Sequence, residues 1–209
     1  MTRLARRLRP FAPALASVLA IVLIPFAIAG RHADALVTQM LASTADRPFA
    51  AAAVIAGALA ADALLPVPSS LLATGAGYLL GFTRALFTVF VGLSAGSTLG
   101  YLVGRTILSA PATADRPVTW AEPAIVLTRP IPVLAETTAL LAGTCRFPFR
   151  RFMVVSTLSN LCLAAAYAAA GALSAARHAP WIALTAACAL PAATLLAIRS
   201  RSRMHGGTP

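Results

Sequence analysis

Residues 48–83 read PFAAAAVIAGALAADALLPVPSSLLATGAGYLLGFT, with a single charge, Asp62, and a single strong break, Pro66-Val67-Pro68. As one continuous helix this stretch would be roughly 54 Å long, against a bilayer hydrocarbon core of about 30 Å. It reads as a re-entrant hairpin, two helical arms that enter a membrane and return, with an ordinary kinked or tilted span as the alternative. Non-helical backbone at that depth is tolerated only where protein or a watery cavity covers it. Residues 123–145 repeat the design, with Arg129 and Glu136 near the middle and a break at Pro130-Ile131-Pro132.

The rest of the chain supplies the setting. Of 209 residues, 59% are apolar and 11% charged, where an ordinary soluble domain has about 45–50% and about 25%. All 17 basic residues are arginines, and six acids leave a formal charge of +11. A soluble nucleic-acid binder is also basic but does not carry so few charges on so apolar a chain, so no nucleic-acid partner is expected. Hydrophobicity excludes disorder, and three unpatterned cysteines exclude a disulfide scaffold. Charge-free runs at Pro10–Gly30, Ala85–Gly104, Phe152–Ala176 and Ala179–Ile198 are each long enough to cross.

The expected fold is therefore an all-α polytopic membrane protein, about four full transmembrane helices plus two proline-broken re-entrant hairpins. It divides into a basic N-terminus, first span and outer loop (1–47), a core (48–176), and a last span with a basic tail (177–209). With the N-terminus inside, Arg3, Arg6, Arg7, Arg9, Arg105, Arg116, Arg146, Arg150, Arg151, Arg199, Arg201 and Arg203 fall on the cytoplasmic side. Only Arg31, Arg47, Arg84 and Arg177 fall outside, as the positive-inside rule requires, and both termini are cytoplasmic. The run Pro10–Gly30 exceeds a signal peptide's usual apolar region, so an uncleaved first span is preferred over a cleaved leader ending near Ala33-Asp34-Ala35.

The core holds an internal repeat, about 48–108 and 120–176. Pro66-Val67-Pro68, Gly75 and Gly77, Phe82 and Arg84, then Tyr101 and Gly104 are echoed by Pro130-Ile131-Pro132, Gly143, Arg146 and Phe147, then Tyr167 and Gly171. The topology places one hairpin outside and one inside, so the repeats are inverted, an arrangement that transporters use around a mid-membrane site.

Arg129 is the sharpest single residue, because a guanidinium at depth needs a partner, a cavity or a substrate. Beside proline-broken helix ends it suits a phosphate headgroup, with Ser69 and Ser70 as N-caps of the first restarting helix. Alternatively, Arg129 neutralises Glu136 or Asp62 and locks the hairpins. Asp62 and Glu136 would set the charge of the site, as proton carriers or, for Asp62, as an interfacial residue. Gly92, Gly96, Gly100 and Gly104 recur every four residues and form a helix-packing seam. Ser156 and Asn160 are polar at depth and suit interhelical hydrogen bonds. Scattered histidines and cysteines give no metal site, and no phosphate loop or nucleophile elbow is present, so neither cofactor nor enzymatic activity is expected.

These landmarks resemble the DedA family of bacterial membrane proteins, also called the VTT or SNARE-associated Golgi protein family. The resemblance covers roughly Pro48 to Gly171. It rests on Asp62-Ala-Leu-Leu-Pro-Val-Pro-Ser-Ser, on Gly96-Ser-Thr-Leu-Gly-Tyr-Leu-Val-Gly-Arg105, and on Arg129-Pro-Ile-Pro followed by Ala142-Gly143, Arg146-Phe147 and Arg151-Phe152. It implies two facing hairpins and the movement or scrambling of lipids, phospholipid or undecaprenyl phosphate, in a bacterial inner membrane. The sequence departs from the family at Ser69 and Ser70, where an acid is common, at Ser97, where the family has Asp, and at Ala135, where a second Arg is known. Those departures put a proton-coupled mechanism in question. Two other functions remain open: a non-transporting membrane-protein assembly factor, and a small-anion secondary transporter. A homo-oligomer also stays open.

Overall fold

In a computed structural model, the described residues are 47–62, 69–107, 121–179, 181–182, 185–189 and 192–193. They form helices and turns, in the order α1 (Pro48–Ala61), α2 (Ser69–Ile107), α3 (Ala121–Thr128), α4 (Pro132–Thr144) and α5 (Phe149–Ala176). The expected span Pro10–Gly30 and the break Pro66-Val67-Pro68 lie outside the described residues, as does half of Ala179–Ile198.

Two helices, α2 and α5, are long and apolar enough to cross a membrane. α2 comprises two helical stretches, residues 69–80 and the span at 82–107, which meet at a sharp kink at Gly81 with φ 74° and ψ 170°. That region is essentially closed to residues with a Cβ, so glycine lets residues 69–80 turn into residues 82–107. The second repeat makes the same move differently. After α4, Arg146 adopts φ 51°, and Pro148 then precedes the first turn of α5. The arms α1 and α4 have 14 and 13 residues, about 20 Å each and too short to cross a bilayer core.

The long helices run antiparallel, because the Tyr101 ring near the end of α2 stacks on Phe152 near the start of α5, with centroids 4.7 Å apart. The arms fill opposite halves of this pair. α1 lies against Gly92 and Gly96, where an added Cβ would meet the Leu59 side chain at 2.7 Å and the Leu59 carbonyl at 2.8 Å. Residues 69–80 cross to α5, where Gly77 meets Ala168 and Gly171. α4 crosses the other way to α2, where Gly143 meets Tyr101 and Arg105, and Gly104 meets Leu140. The two crossings are equivalent: Gly77 and Gly143 are 66 positions apart (143 − 77), Gly104 and Gly171 are 67 apart (171 − 104). Each returning arm thus packs backbone to backbone on the other repeat's long helix. The sequence repeat is a repeat of contacts.

The expected seam therefore splits among three tasks. Gly92 and Gly96 receive α1, Gly104 receives α4, and Gly100 faces the cavity between them. Two apolar clusters flank that cavity. One gathers Ile55, Leu59, Ala76, Val89 and Ala168, the other Tyr101, Ile125, Ala142, Phe147 and Phe152. The outside is inverted relative to a soluble protein: Phe87, Val91, Val154 and Leu158 are more than half exposed. Apart from Arg129, arginines of the long helices and the turns beside them sort to two ends, Arg105, Arg146, Arg150 and Arg151 at one and Arg84 and Arg177 at the other. Mid-helix hydroxyls are satisfied locally. Thr74, Thr88, Ser97, Thr98, Thr137 and Thr138 each donate to the carbonyl four residues earlier.

The glycine contacts separate crowded positions from open ones. Gly104→Ala, Gly143→Ala and Gly171→Ala each drive a Cβ into a backbone carbonyl, and should cost about 1–3 kcal/mol or more as overpacking. Gly57→Ala and Gly75→Ala meet nothing within 4 Å and should leave the melting temperature in detergent unchanged or slightly raised. Equal tolerance at both sets would show that the helices do not approach this closely.

Candidate functional site

Residues that flank the first proline break, Asp62, Ser69 and Ser70, and residues of the second, Arg129, Pro130 and Pro132, surround one cavity of ≈ 50 Å³. A buried water needs about 10–15 Å³ measured this way, so there is room for a few waters or one compact polar group. Asp62, Ser69, Ser70, Gly96, Gly100, Arg129, Pro130, Pro132 and Glu136 all line it. Residues distant in sequence and chosen for separate reasons are thus brought to one place; Pro66 and Pro68 lie outside the described residues. Ser69 and Ser70 are the first residues of α2, so they face the cavity from its first turn rather than preceding the helix as caps.

Arg129 sits in the turn between α3 and α4, held by a backbone bond from Ile131 to Thr128 of 2.9 Å. The expected partners for its charge, Glu136 or Asp62, are not its partners. Instead, one terminal nitrogen donates to the Ser97 hydroxyl of α2 and the other to the Ser156 hydroxyl of α5. The reason is geometric. Arg129 lies between the two long helices at the level of these serines, whereas Glu136 sits on the second turn of α4 and turns toward the end of α1. There Glu136 and Asp62 line the same cavity, and Asp62 is 8% exposed. Among the described residues, then, the guanidinium rests on neutral hydroxyls.

Ser97 is the hub of this layer. It donates to the Leu93 carbonyl at 2.6 Å and accepts from Arg129 and from the Asn160 amide at 3.2 Å. Asn160 also reaches Ser94 at 3.4 Å, so α5 is joined to α2 at two hydroxyls. Among the described residues, three buried polar atoms here have no partner: Arg129 Nε, Asn160 Oδ1 and the Tyr167 hydroxyl. Unsatisfied buried groups each carry a desolvation cost of about 1–3 kcal/mol, and native proteins retain few of them. All three belong to residues that line the cavity. Tyr167 entered the sequence reading only as a repeat landmark, and Ser97 only as a departure from a family pattern. Nothing in the local sequence marks either as lining a site; α5 and α2 bring them there.

No family model, curated protein or solved structure matches this chain.

Stripping the acceptors from a buried cation costs more than removing the cation itself. Ser97→Ala combined with Ser156→Ala should therefore destabilise the folded protein by about 3–5 kcal/mol, and Arg129→Met by less. Thermal unfolding in detergent measures both. A neutral double variant would show that the guanidinium is held elsewhere.

Proposed function

We propose that this chain is an integral bacterial inner-membrane lipid transporter or scramblase, of the kind the DedA resemblance implies. Phospholipid or undecaprenyl phosphate is carried between leaflets by its phosphate at Arg129. The observation that carries this reading is the guanidinium held on Ser97 and Ser156 without a carboxylate partner among the described residues. A guanidinium has five N–H donors, of which two are engaged, and the rest suit a phosphate's several acceptor oxygens. In this reading the apolar outer surface faces lipid, and the hairpins are re-entrant with their breaks at mid-bilayer. The arginine-rich end carrying Arg105, Arg146, Arg150 and Arg151 is cytoplasmic, as are both termini. Acyl chains remain in the bilayer while the headgroup passes between the hairpins.

The cavity's small size favours one second reading, secondary transport of a compact soluble anion at the same arginine. The assembly-factor reading predicts that Arg129 and Glu136 act as a pair, and Arg129 contacts Ser97 and Ser156 instead.

The test is leaflet exchange of labelled phospholipid and of undecaprenyl phosphate in liposomes holding the purified protein. Arg129→Ala should abolish exchange while the variant still inserts. Full exchange by this variant would sink the mechanism. Uptake of inorganic phosphate without lipid exchange would move the function to the soluble anion.

A further inference from the structure

α4 ends in a turn whose geometry calls for glycine and whose residue is an arginine. The Arg146 amide donates to the Gly143 carbonyl and the Phe147 amide to the Ala142 carbonyl, both at 2.9 Å. This double closure puts the residue after the helix cap in the left-handed region, here Arg146 at φ 51°. Glycine takes that position without steric cost, whereas an arginine accepts a penalty to hold its side chain there. Arg150 and Arg151, just beyond, lie in the first turn of α5, the end of a helix that disfavours cations. Two local preferences are thus overridden within six residues, each time by an arginine. Positive-inside sorting asks for arginines somewhere in the segment, not for one at a glycine position.

Tertiary contacts hold this corner rigid. The buried Tyr101 hydroxyl donates to the Phe147 carbonyl at 2.6 Å and accepts from Arg105 at 2.9 Å. The Tyr101 ring packs on Phe149 and Phe152. Arg146, Arg150 and Arg151 are exposed around it, and no ion pair among the described residues joins them to an acid. Below them the surface turns apolar along one line. Arg150, Val154 and Leu158 are spaced four apart and share a face of α5, and Val154 and Leu158 are 68% and 63% exposed. We infer that this corner docks an anionic phospholipid of the adjoining leaflet, its phosphate on Arg146, Arg150 and Arg151 and an acyl chain along Val154 and Leu158. An acidic protein would match the charges but not the apolar stripe that continues from them. The guanidinium fork suits phosphate oxygens, and a net-negative headgroup neutralises the cluster, whereas a zwitterionic one brings its own cation to it. The surface is separate from the cavity at Arg129 and needs only that the bundle sits in a membrane, not that it transports.

Thermal unfolding of the full chain in detergent, titrated with short-chain phospholipids bearing glycerol or choline headgroups, tests this. The anionic glycerol lipid should stabilise at about tenfold lower concentration than the choline lipid, and added salt should erode the difference. Arg146→Gly separates docking from structure. Before lipid is added it should melt no lower than the parent, because glycine suits the turn, yet it should need about fivefold more glycerol lipid for the same shift. Arg150→Gln with Arg151→Gln should also keep its lipid-free melting temperature, and should bring the glycerol lipid down to the choline level. Arg129→Ala should retain the preference. Equal response of the parent to both lipids, or an unchanged preference in the corner variants, would overturn the docking surface. Loss of the preference in Arg129→Ala alone would overturn it too, by placing the lipid in the cavity. Stabilisation by polyglutamate but by neither lipid would overturn the lipid and leave an acidic protein as the partner.

Discussion

Backbone-to-backbone contact at four glycines is the constraint from which the rest of this structure follows. Gly77 against Gly171, and Gly104 against Leu140 beside Gly143, let each returning arm lie on the other repeat's long helix with no side chain between them. Where lipid surrounds a bundle, apolar surface gives little drive for helices to associate, and close van der Waals approach supplies it instead. Because the arms are swapped between repeats, neither hairpin is seated until both are. The same contacts fix how far each arm reaches, and so bring Asp62, Ser69 and the turn at Arg129 to one cavity beside Ser97.

That placement creates an electrostatic problem which the site solves only in part. Carrying a guanidinium to the middle of an apolar bundle is costly, and two serine hydroxyls satisfy two of its donors without neutralising its charge. Asp62 and Glu136 line the same cavity. The residual cost is concentrated at the cavity, where Arg129 Nε, Asn160 Oδ1 and the Tyr167 hydroxyl lack partners. Elsewhere, hydroxyls along the helices are satisfied within their own turns.

The two repeats are equivalent in packing but not in chemistry. Positions 66 or 67 apart perform matching structural tasks at the glycines, yet the first break contributes an acid and two serines while the second contributes an arginine and an acid. A ligand in the cavity therefore meets different chemistry from its two sides, which lets a symmetric frame hold an asymmetric molecule.

Much of this was legible in the residues themselves. Proline pairs remove helix donors and fix φ, so the breaks are local properties of the chain. The second, at Pro130-Ile131-Pro132, appears as a turn between α3 and α4. Glycines every four residues define a helix face whatever packs on it. Arg129 stands out because its charge is out of place in its own segment. Partnership, by contrast, is a property of pairs, and the sequence could not settle it. Arg129 had two acids nearby in the repeat and bonds to neither, because Ser97 and Ser156 arrive from helices about 30 residues away on either side. The join of 69–80 to 82–107 through Gly81, and the division of one glycine seam among three neighbours, were likewise decided only when the arms crossed. Local backbone chemistry determined where the chain breaks and which faces are smooth; which charges meet was fixed by the swapped packing of the two repeats, since only that sets the distances between them.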